Sequence, residues 1–130
     1  MPARTSLNRI KQIAIPVYAI ETARDFYRDV LGMRHLFDAP PALSFFDCGG
    51  IRIMLAGPDG QGKDAPHQHP VLFYDVSDIK SVFAQIKSAG AEAIEEPHIV
   101  ARVNGQEVWL AAVSDGQGNV VSLMNEVPEK

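Results

Sequence analysis

The residue best suited to acid–base chemistry in this sequence is His98, which follows Glu95, Glu96 and Pro97. The charge of an imidazole changes near neutral pH, and two carboxylates would favour its charged form if they also lay close in space. The competing interpretation is a histidine that caps or bridges a strand end, since lone histidines are more often structural than catalytic. His98 is the best candidate for a catalytic residue.

His67 and His69 form a His-x-His pair within residues 57–69, a stretch rich in Gly, Asp and Pro. Alternate residues of an extended segment lie on one side, so both imidazoles could approach one metal ion. A metal site needs three or more ligands, and no acidic or thiol partner stands at ligand spacing. A solvated linker is the favoured interpretation, although His69 could reach the mouth of a cleft.

Several other residues could contact a ligand. Ser122 is the one small polar residue in an apolar run after a Gly- and Asn-rich turn, and it points to the opposite face from its neighbours. Trp109 could stack on a flat ligand or fill the core. Phe45 and Phe46 are adjacent in a strand and point to opposite faces of the sheet, so one of them should line a cleft. Arg52 would anchor an anion if it faced that cleft.

Composition narrows the class of protein. A chain of 130 residues with 46% apolar content can bury one good core, so we expect one domain. A net charge of −4 without a Lys/Arg cluster argues against nucleic acid. No apolar run approaches the roughly 18 residues of a membrane span. Cys48 is the only cysteine, which excludes an intrachain disulfide and favours a cytoplasmic location.

The elements that must position these side chains fall into two similar halves. Apolar spacing predicts a strand at 10–17, a helix at 20–31, and strands at 34–38, 43–48 and 51–56. The second half predicts a strand at 71–76, a helix after the N-cap Asp78, strands near 92–94, 98–103 and 106–113, and the strand that holds Ser122. Gly49-Gly50 and Asn104-Gly105 are hairpin turn signals.

Two copies of β-α-β-β-β in one chain predict an α+β fold. We expect one domain over residues 1–130, with units at about 8–57 and 70–126 and a linker at 58–69. Each unit would cover one sheet face with its helix, and the two units would form a half-open mixed β-barrel with flanking helices. The cleft between them is the expected ligand site.

Motifs along nearly the whole chain carry a family resemblance. They are IAIPV at 13–17, Ala23 with FYRDVLGM at 26–33, VSDI at 76–79, and DGQGN at 115–119. In combination they resemble the vicinal oxygen chelate (VOC) superfamily, which includes glyoxalase I, the bleomycin resistance proteins and extradiol dioxygenases. The resemblance implies the glyoxalase/bleomycin resistance fold, a small-molecule ligand and pairing into a homodimer.

The resemblance also implies four metal-ligand positions on the cleft face. These positions, usually His or Gln, an acidic residue, His and Glu, fall on Gln12, about Met54, Val71 and Ser122. A thioether, an isopropyl group and a hydroxyl cannot replace imidazole or carboxylate as ligands of Zn, Ni, Fe or Mn. We therefore expect the fold without its usual metal and without another cofactor.

The sequence thus predicts a protein that binds a small, partly apolar molecule. The expected ligand-binding residues are Gln12, Phe45, Met54, Val71, Phe73, His98, Trp109, Ser122 and Met124. The alternative is a divalent-metal-dependent enzyme, lactoylglutathione lyase-like or a dioxygenase, whose altered ligand set combines Gln12 with His69 or His98. A third possibility is a dimerising module whose cleft is sealed by its own side chains.

Overall fold

The computed structural model describes residues 7–58 and 70–129. The first unit contains β1 (Gln12–Pro16), α1 (Ile20–Asp25), β2 (Arg34–Ala39), β3 (Leu43–Cys48) and β4 (Ile51–Ala56). The second contains β5 (Leu72–Asp75), α2 (Ile79–Ser88), β6 (Glu92–Val103), β7 (Gln106–Ser114) and β8 (Val120–Pro128). The predicted β-α-β-β-β order is confirmed in both halves. The linker prediction, with His67 and His69, lies outside the described residues.

Each unit forms a four-stranded mixed sheet with the same topology. The strand orders are β1-β4-β3-β2 and β5-β8-β7-β6, and the first strand of each unit runs parallel to the last. The register repeats as well, because Ala14 pairs with Met54 in one sheet and Phe73 with Ser122 in the other. The two sheets are not closed into a barrel, which agrees with the predicted half-open arrangement.

The helices cover one face of each sheet. Ala23 and the π-helical segment Phe26–Val30 that continues α1 pack on Ile53 and Phe46 of the first sheet. A second core cluster joins α2 to the other sheet through Phe83. Apolar residues at three- and four-residue steps give each helix the stripe that this packing needs. No helix in the described part of the chain is long and apolar enough to cross a membrane.

Both predicted hairpin turns are present. Gly49 and Gly50 have φ of 60° and 95°, and Asn104 and Gly105 have φ of 53° and 76°. Two consecutive residues with positive φ match the right-handed twist of the strands they join, which is why Gly and Asn are preferred there. These turns fix the register of β3 with β4 and of β6 with β7.

The prediction of separate strands at 92–94 and 98–103 is wrong. β6 is one strand that runs through Pro97, with register shifts on either side of Glu95 and between Ile99 and Ala101. A proline is tolerated because β6 is an edge strand, where a missing N–H can face away from the sheet. The merged strand restores three strands after α2, as the repeat requires.

Candidate functional site

Each sheet has one face without a helix, which we call its open face. Ile53 of β4 belongs to the core against α1, so its neighbours Arg52 and Met54 project to the open face. Gln12 pairs across the sheet with Arg52, and Ala14 pairs with Met54. The open face of the first sheet therefore brings Gln12 and Met54 together, as the sequence predicts for two ligand-binding residues.

Polar and aromatic groups meet around Arg52. Its Nε donates to Oε1 of Gln12 at 2.7 Å, and Nε2 of Gln12 lies 3.7 Å from Sδ of Met54. The guanidinium carbon of Arg52 is 5.5 Å from the centroid of the Phe45 ring. Phe46 is buried against the helix instead. Of the two adjacent phenylalanines, Phe45 is the one on the open face, and Arg52 faces it.

Phe37 also lies on this face, although the sequence analysis did not identify it. Residues 35 and 37 would share a face in a regular strand, but a β-bulge separates them. The His35 ring therefore meets Phe46 in the core, whereas Phe37 stacks on Phe45 with 4.6 Å between centroids and 25° between planes. No residue type in the sequence signals this bulge.

The open face of the second sheet holds the next predicted residues. Leu123 of β8 belongs to the core against α2, so Ser122 and Met124 project to the open face. Phe73 of β5 pairs with Ser122, and Asp75 pairs with Met124. Ser122 is buried, whereas Phe73 is 53% exposed. Asp75 is not among the residues that the sequence predicts for the site.

A cavity of about 390 Å³ lies on this second open face. Its lining residues are Phe73, Asp75, Met124 and Glu126. The two carboxylates give the cavity a negative rim. Val71, two residues before Phe73, is also exposed and has the parity of the open face. The cavity thus combines predicted apolar residues with acidic side chains.

His98 lies at the far edge of the second open face. It pairs with Leu110, which in turn pairs with Met124, so His98 is two strands, or about 10 Å, from Met124. Its Nδ1 is 2.8 Å from the carbonyl oxygen of Glu96, and its Nε2 is 4.0 Å from Oε2 of Glu95. Since a carbonyl oxygen only accepts, Nδ1 carries the proton in this contact. His98 is exposed and fixed by its own strand.

The sequence of this chain matches a known family over nearly its full length. The sequence model of the Glyoxalase/Bleomycin resistance protein/Dioxygenase superfamily matches residues 9–123, which span both β-α-β-β-β units. The chain belongs to this superfamily. No curated protein matches the sequence.

Solved structures of the superfamily type share the fold at low identity. A lactoylglutathione lyase from Agrobacterium tumefaciens is 18% identical, with a TM-score of 0.77 over 92% of this chain and 95% of that one. TnmS3, an antibiotic binding protein from a Streptomyces species, is 19% identical, with a TM-score of 0.77 over 95% and 100%. TioX from a Micromonospora species is 18% identical, with a TM-score of 0.75 over 92% and 100%.

The superfamily's metal positions can be tested against the side chains present. Met54 and Ser122 stand at equivalent points of the two sheets, as the resemblance implies. Only Gln12 and Ser122 of the four positions carry an oxygen, and that of Gln12 already accepts from Arg52. Within residues 7–58 and 70–129, no three His, Cys, Asp or Glu side chains group closely enough to hold a metal ion. This donor set does not fit the superfamily's metal.

Trp109 does not join the other predicted site residues. It lies on the helix side of the second sheet, where it packs against the core that contains α2. Nζ of Lys80 lies 4.9 Å from the centroid of its ring, and its Nε1 donates to Oε1 of Glu107 at 3.3 Å. Alternation along β7 puts Trp109 on the same face as the buried Ala111. Trp109 also lines a cavity of about 390 Å³ on this side of the sheet, so both of its predicted roles stay predictions.

The turn before β8 has a role that sequence reasoning missed. Oδ1 of the buried Asp115 accepts from the backbone nitrogens of Gln117 and Asn119 at 2.7 and 3.1 Å. Oδ2 accepts from the Tyr27 hydroxyl at 2.9 Å. Burial, and then the Asp115 charge, raise the pKa of Tyr27, so its hydroxyl stays protonated and donates. Asp115 thereby joins the second unit to the first helix.

Two further side chains of this turn reach the first unit. Oε1 of Gln117 accepts from the backbone nitrogens of Tyr18 and Ala19 at 2.8 and 2.7 Å, just before α1. Nδ2 of Asn119 donates to the carbonyl oxygen of Pro16 at 2.8 Å, at the end of β1. Turn-forming residues were recognisable in the sequence, but their partners about a hundred residues away were not. These contacts fix the two units relative to each other.

Proposed function

We propose that this chain is a small-molecule-binding member of the superfamily whose ligand lies against the open faces of the sheets. Binding does not use the superfamily's metal. We further propose that the protein acts in the cytoplasm as a homodimer, without a nucleic-acid or membrane partner. The net charge of −4 supports the exclusion of nucleic acid.

The observation that carries this proposal is the side-chain chemistry at the four metal-ligand positions. Met54 and Val71 offer no ligand to a hard or borderline cation, and Gln12 is engaged with Arg52. The open faces instead combine apolar side chains such as Phe45, Phe73 and Met124 with a limited number of polar and charged ones. Small-molecule sites commonly have that composition.

The structural relatives include both a binding protein and an enzyme, which supports small-molecule binding as one of two possible functions. TnmS3 is described as an antibiotic binding protein, whereas another relative is a lactoylglutathione lyase. Binding requires only a complementary surface, and the open faces provide one. The lyase or dioxygenase alternative requires a metal, for which this chain would need ligands other than those at the family positions.

Metal analysis tests the proposal. The protein is produced without a His tag from cells grown with added Zn, Ni, Mn and Fe, and its metal content is measured by mass spectrometry. We expect clearly substoichiometric metal. Stoichiometric metal that disappears in His69→Ala or His98→Ala would overturn the proposal and establish the altered-ligand enzyme.

Ligand binding is tested with a thermal-shift screen of small, partly apolar compounds. We expect hits whose affinity falls in Met54→Ala and in Phe73→Ala, because each residue lies on an open face. Leu7→Ala is the control, since Leu7 is an exposed apolar residue that precedes β1 and belongs to neither sheet. Hits that all four proteins bind equally would place the ligand elsewhere. Sedimentation velocity tests the homodimer.

A further inference from the structure

The open face of the first sheet offers an aromatic surface to a ligand. Phe37 stacks on Phe45, and Phe45 is nearly buried whereas Phe37 is 48% exposed. One face of the Phe37 ring lies on Phe45, so its exposed area belongs to the other face and the edge. Phe45 lies between Arg52 and Phe37, because β3 is flanked by β4 and β2, so a ligand that also reaches Arg52 meets the edges of both rings. Edge-to-face contact is one of the arrangements that aromatic rings prefer.

A cation stands beside the aromatic surface. Nε of Arg52 donates to Gln12, and within the described residues no hydrogen bond engages its Nη1 or Nη2. Asp47 is opposite Arg52 in register, but its Oδ1 accepts from the backbone nitrogen of Gly50 at 3.3 Å. Within the described residues, Arg52 forms no ion pair with a carboxylate. Its guanidinium is therefore oriented by Gln12 and remains open to a carboxylate of a ligand.

The second open face has the opposite charge. Asp75 and Glu126 line its cavity, so an anionic group is disfavoured there and favoured near Arg52. The guanidinium carbon of Arg52 lies 5.5 Å from the Phe45 centroid. A ligand of two or three rings that lies along the edges of this pair can therefore contact both phenylalanines and the cation.

We propose that the ligand of the first open face is an aromatic carboxylate. Its ring lies against Phe37 and Phe45, and its carboxylate accepts two hydrogen bonds from Nη1 and Nη2 of Arg52, the planar geometry in which arginine binds carboxylates. Gln12 is a positioning residue that orients the guanidinium. This inference rests on the proposed function, because it names the ligand class of the same site.

Isothermal titration calorimetry with matched probes tests the ligand class. 2-Naphthoate has both groups, 2-naphthamide lacks the charge, and cyclohexanecarboxylate lacks the aromatic ring. We expect 2-naphthoate to bind about tenfold or more tightly than 2-naphthamide, since hydrogen bonds to charged groups are the stronger kind. Cyclohexanecarboxylate should also bind more weakly, because it has no aromatic ring to contact Phe37 and Phe45.

Three variants locate the site. Arg52→Gln should weaken 2-naphthoate about tenfold or more and leave 2-naphthamide unchanged. Phe37→Ala should weaken both, and its exposed position makes the fold tolerant of the change. Arg102→Gln is the matched control, because Arg102 is an exposed arginine of β6 that pairs with Glu107 and Glu129. Circular dichroism verifies that each variant is folded.

Three binding results would overturn the inference, and so would one sedimentation result. They are equal affinity for acid and amide, undiminished binding of 2-naphthoate by Arg52→Gln, and no binding of any one- to three-ring aromatic acid. A change in sedimentation coefficient in Arg52→Gln or Phe37→Ala, without acid binding, would also overturn it and assign this surface to contact between copies. Neutral hits on the open faces of a metal-free protein would leave the proposed function standing, whereas stoichiometric metal would remove it.

Discussion

The contact between Tyr27 and Asp115 gives the sharpest test of how the two units are joined. Tyr27→Phe removes one hydroxyl from a buried site and changes little else. A hydrogen bond to a charged group contributes about 1.5–3 kcal/mol to stability. Asp115 keeps its backbone donors in the turn and the Nδ2 donor of Asn119. We therefore expect the free energy of unfolding to fall by about 1.5–3 kcal/mol at pH 7.

The same bond predicts how the effect depends on pH. Burial raises the pKa of Tyr27 in the folded protein. The stability that its protonated hydroxyl contributes is therefore complete below the unfolded-state pKa of about 10 and is lost as pH rises above it. Above that pH the free energy of unfolding of wild type falls by about 1.4 kcal/mol per pH unit because of Tyr27, whereas Tyr27→Phe has no hydroxyl to ionise at this position. The stability difference between wild type and Tyr27→Phe should therefore vanish near about pH 11–12.

Urea unfolding followed by circular dichroism measures both effects. For 130 residues, at about 2.1 cal/mol/K per residue, the neutral-pH loss corresponds to a fall in Tm of about 5–11 °C. Tyr74→Phe is the matched control. Burial raises the pKa of Tyr74 to about 12, but no hydrogen bond contributes to that shift. The control should lose less than about 0.5 kcal/mol at pH 7. Equal stability of Tyr27→Phe and wild type at pH 7 would refute the reasoning.

Three other predictions concern a helix cap, acid stability and the metal positions. Gln117→Ala should cost about 1–3 kcal/mol in urea unfolding, because two backbone N–H groups before α1 lose their acceptor; Gln117→Glu keeps an acceptor and should cost less. Burial opposes ionisation of Asp38, but its hydrogen bonds outweigh burial and lower its pKa. The stability that the ionised carboxylate contributes is present above the unfolded pKa of about 3.9 and is lost as pH falls further. The free energy of unfolding of Asp38→Asn should therefore fall less between about pH 5 and pH 3 than that of wild type. Ser122→Glu should not bind Zn or Ni tightly by calorimetry, because Met54 still cannot ligate; nanomolar affinity would contradict this account.

Much of the fold could be predicted because its signals are local. Helical stripes, strand alternation and the Gly49-Gly50 and Asn104-Gly105 turns depend on residues a few positions apart. The boundary at Pro97 could not be predicted, since an edge strand tolerates a proline and edge position depends on the whole sheet. The rule that a proline ends a strand therefore failed at Pro97, because it does not hold for a strand at the edge of a sheet.

The sequence could predict which residues of a strand share a face of the sheet, but not which residues of other strands and helices they meet. Alternation correctly separates Ser122 from Leu123, and the resemblance places Met54 and Ser122 on the last strands of the two units, where they occupy equivalent points of the sheets. The sequence could not choose a face for Trp109, because alternation fixes relative faces and only packing against α2 shows which one is covered. It could not find Phe37, because a bulge moves that ring to the open face.

By itself the sequence determined the repeated β-α-β-β-β order, the family resemblance and a set of side chains unsuited to the usual metal. These follow from residue types and short spacings. Only the tertiary structure decided that Arg52 faces Phe45, that Phe37 stacks on Phe45, and that Asp115 bonds Tyr27. Such contacts join residues far apart in the chain, and their geometry depends on strand register, bulges and packing of both units together.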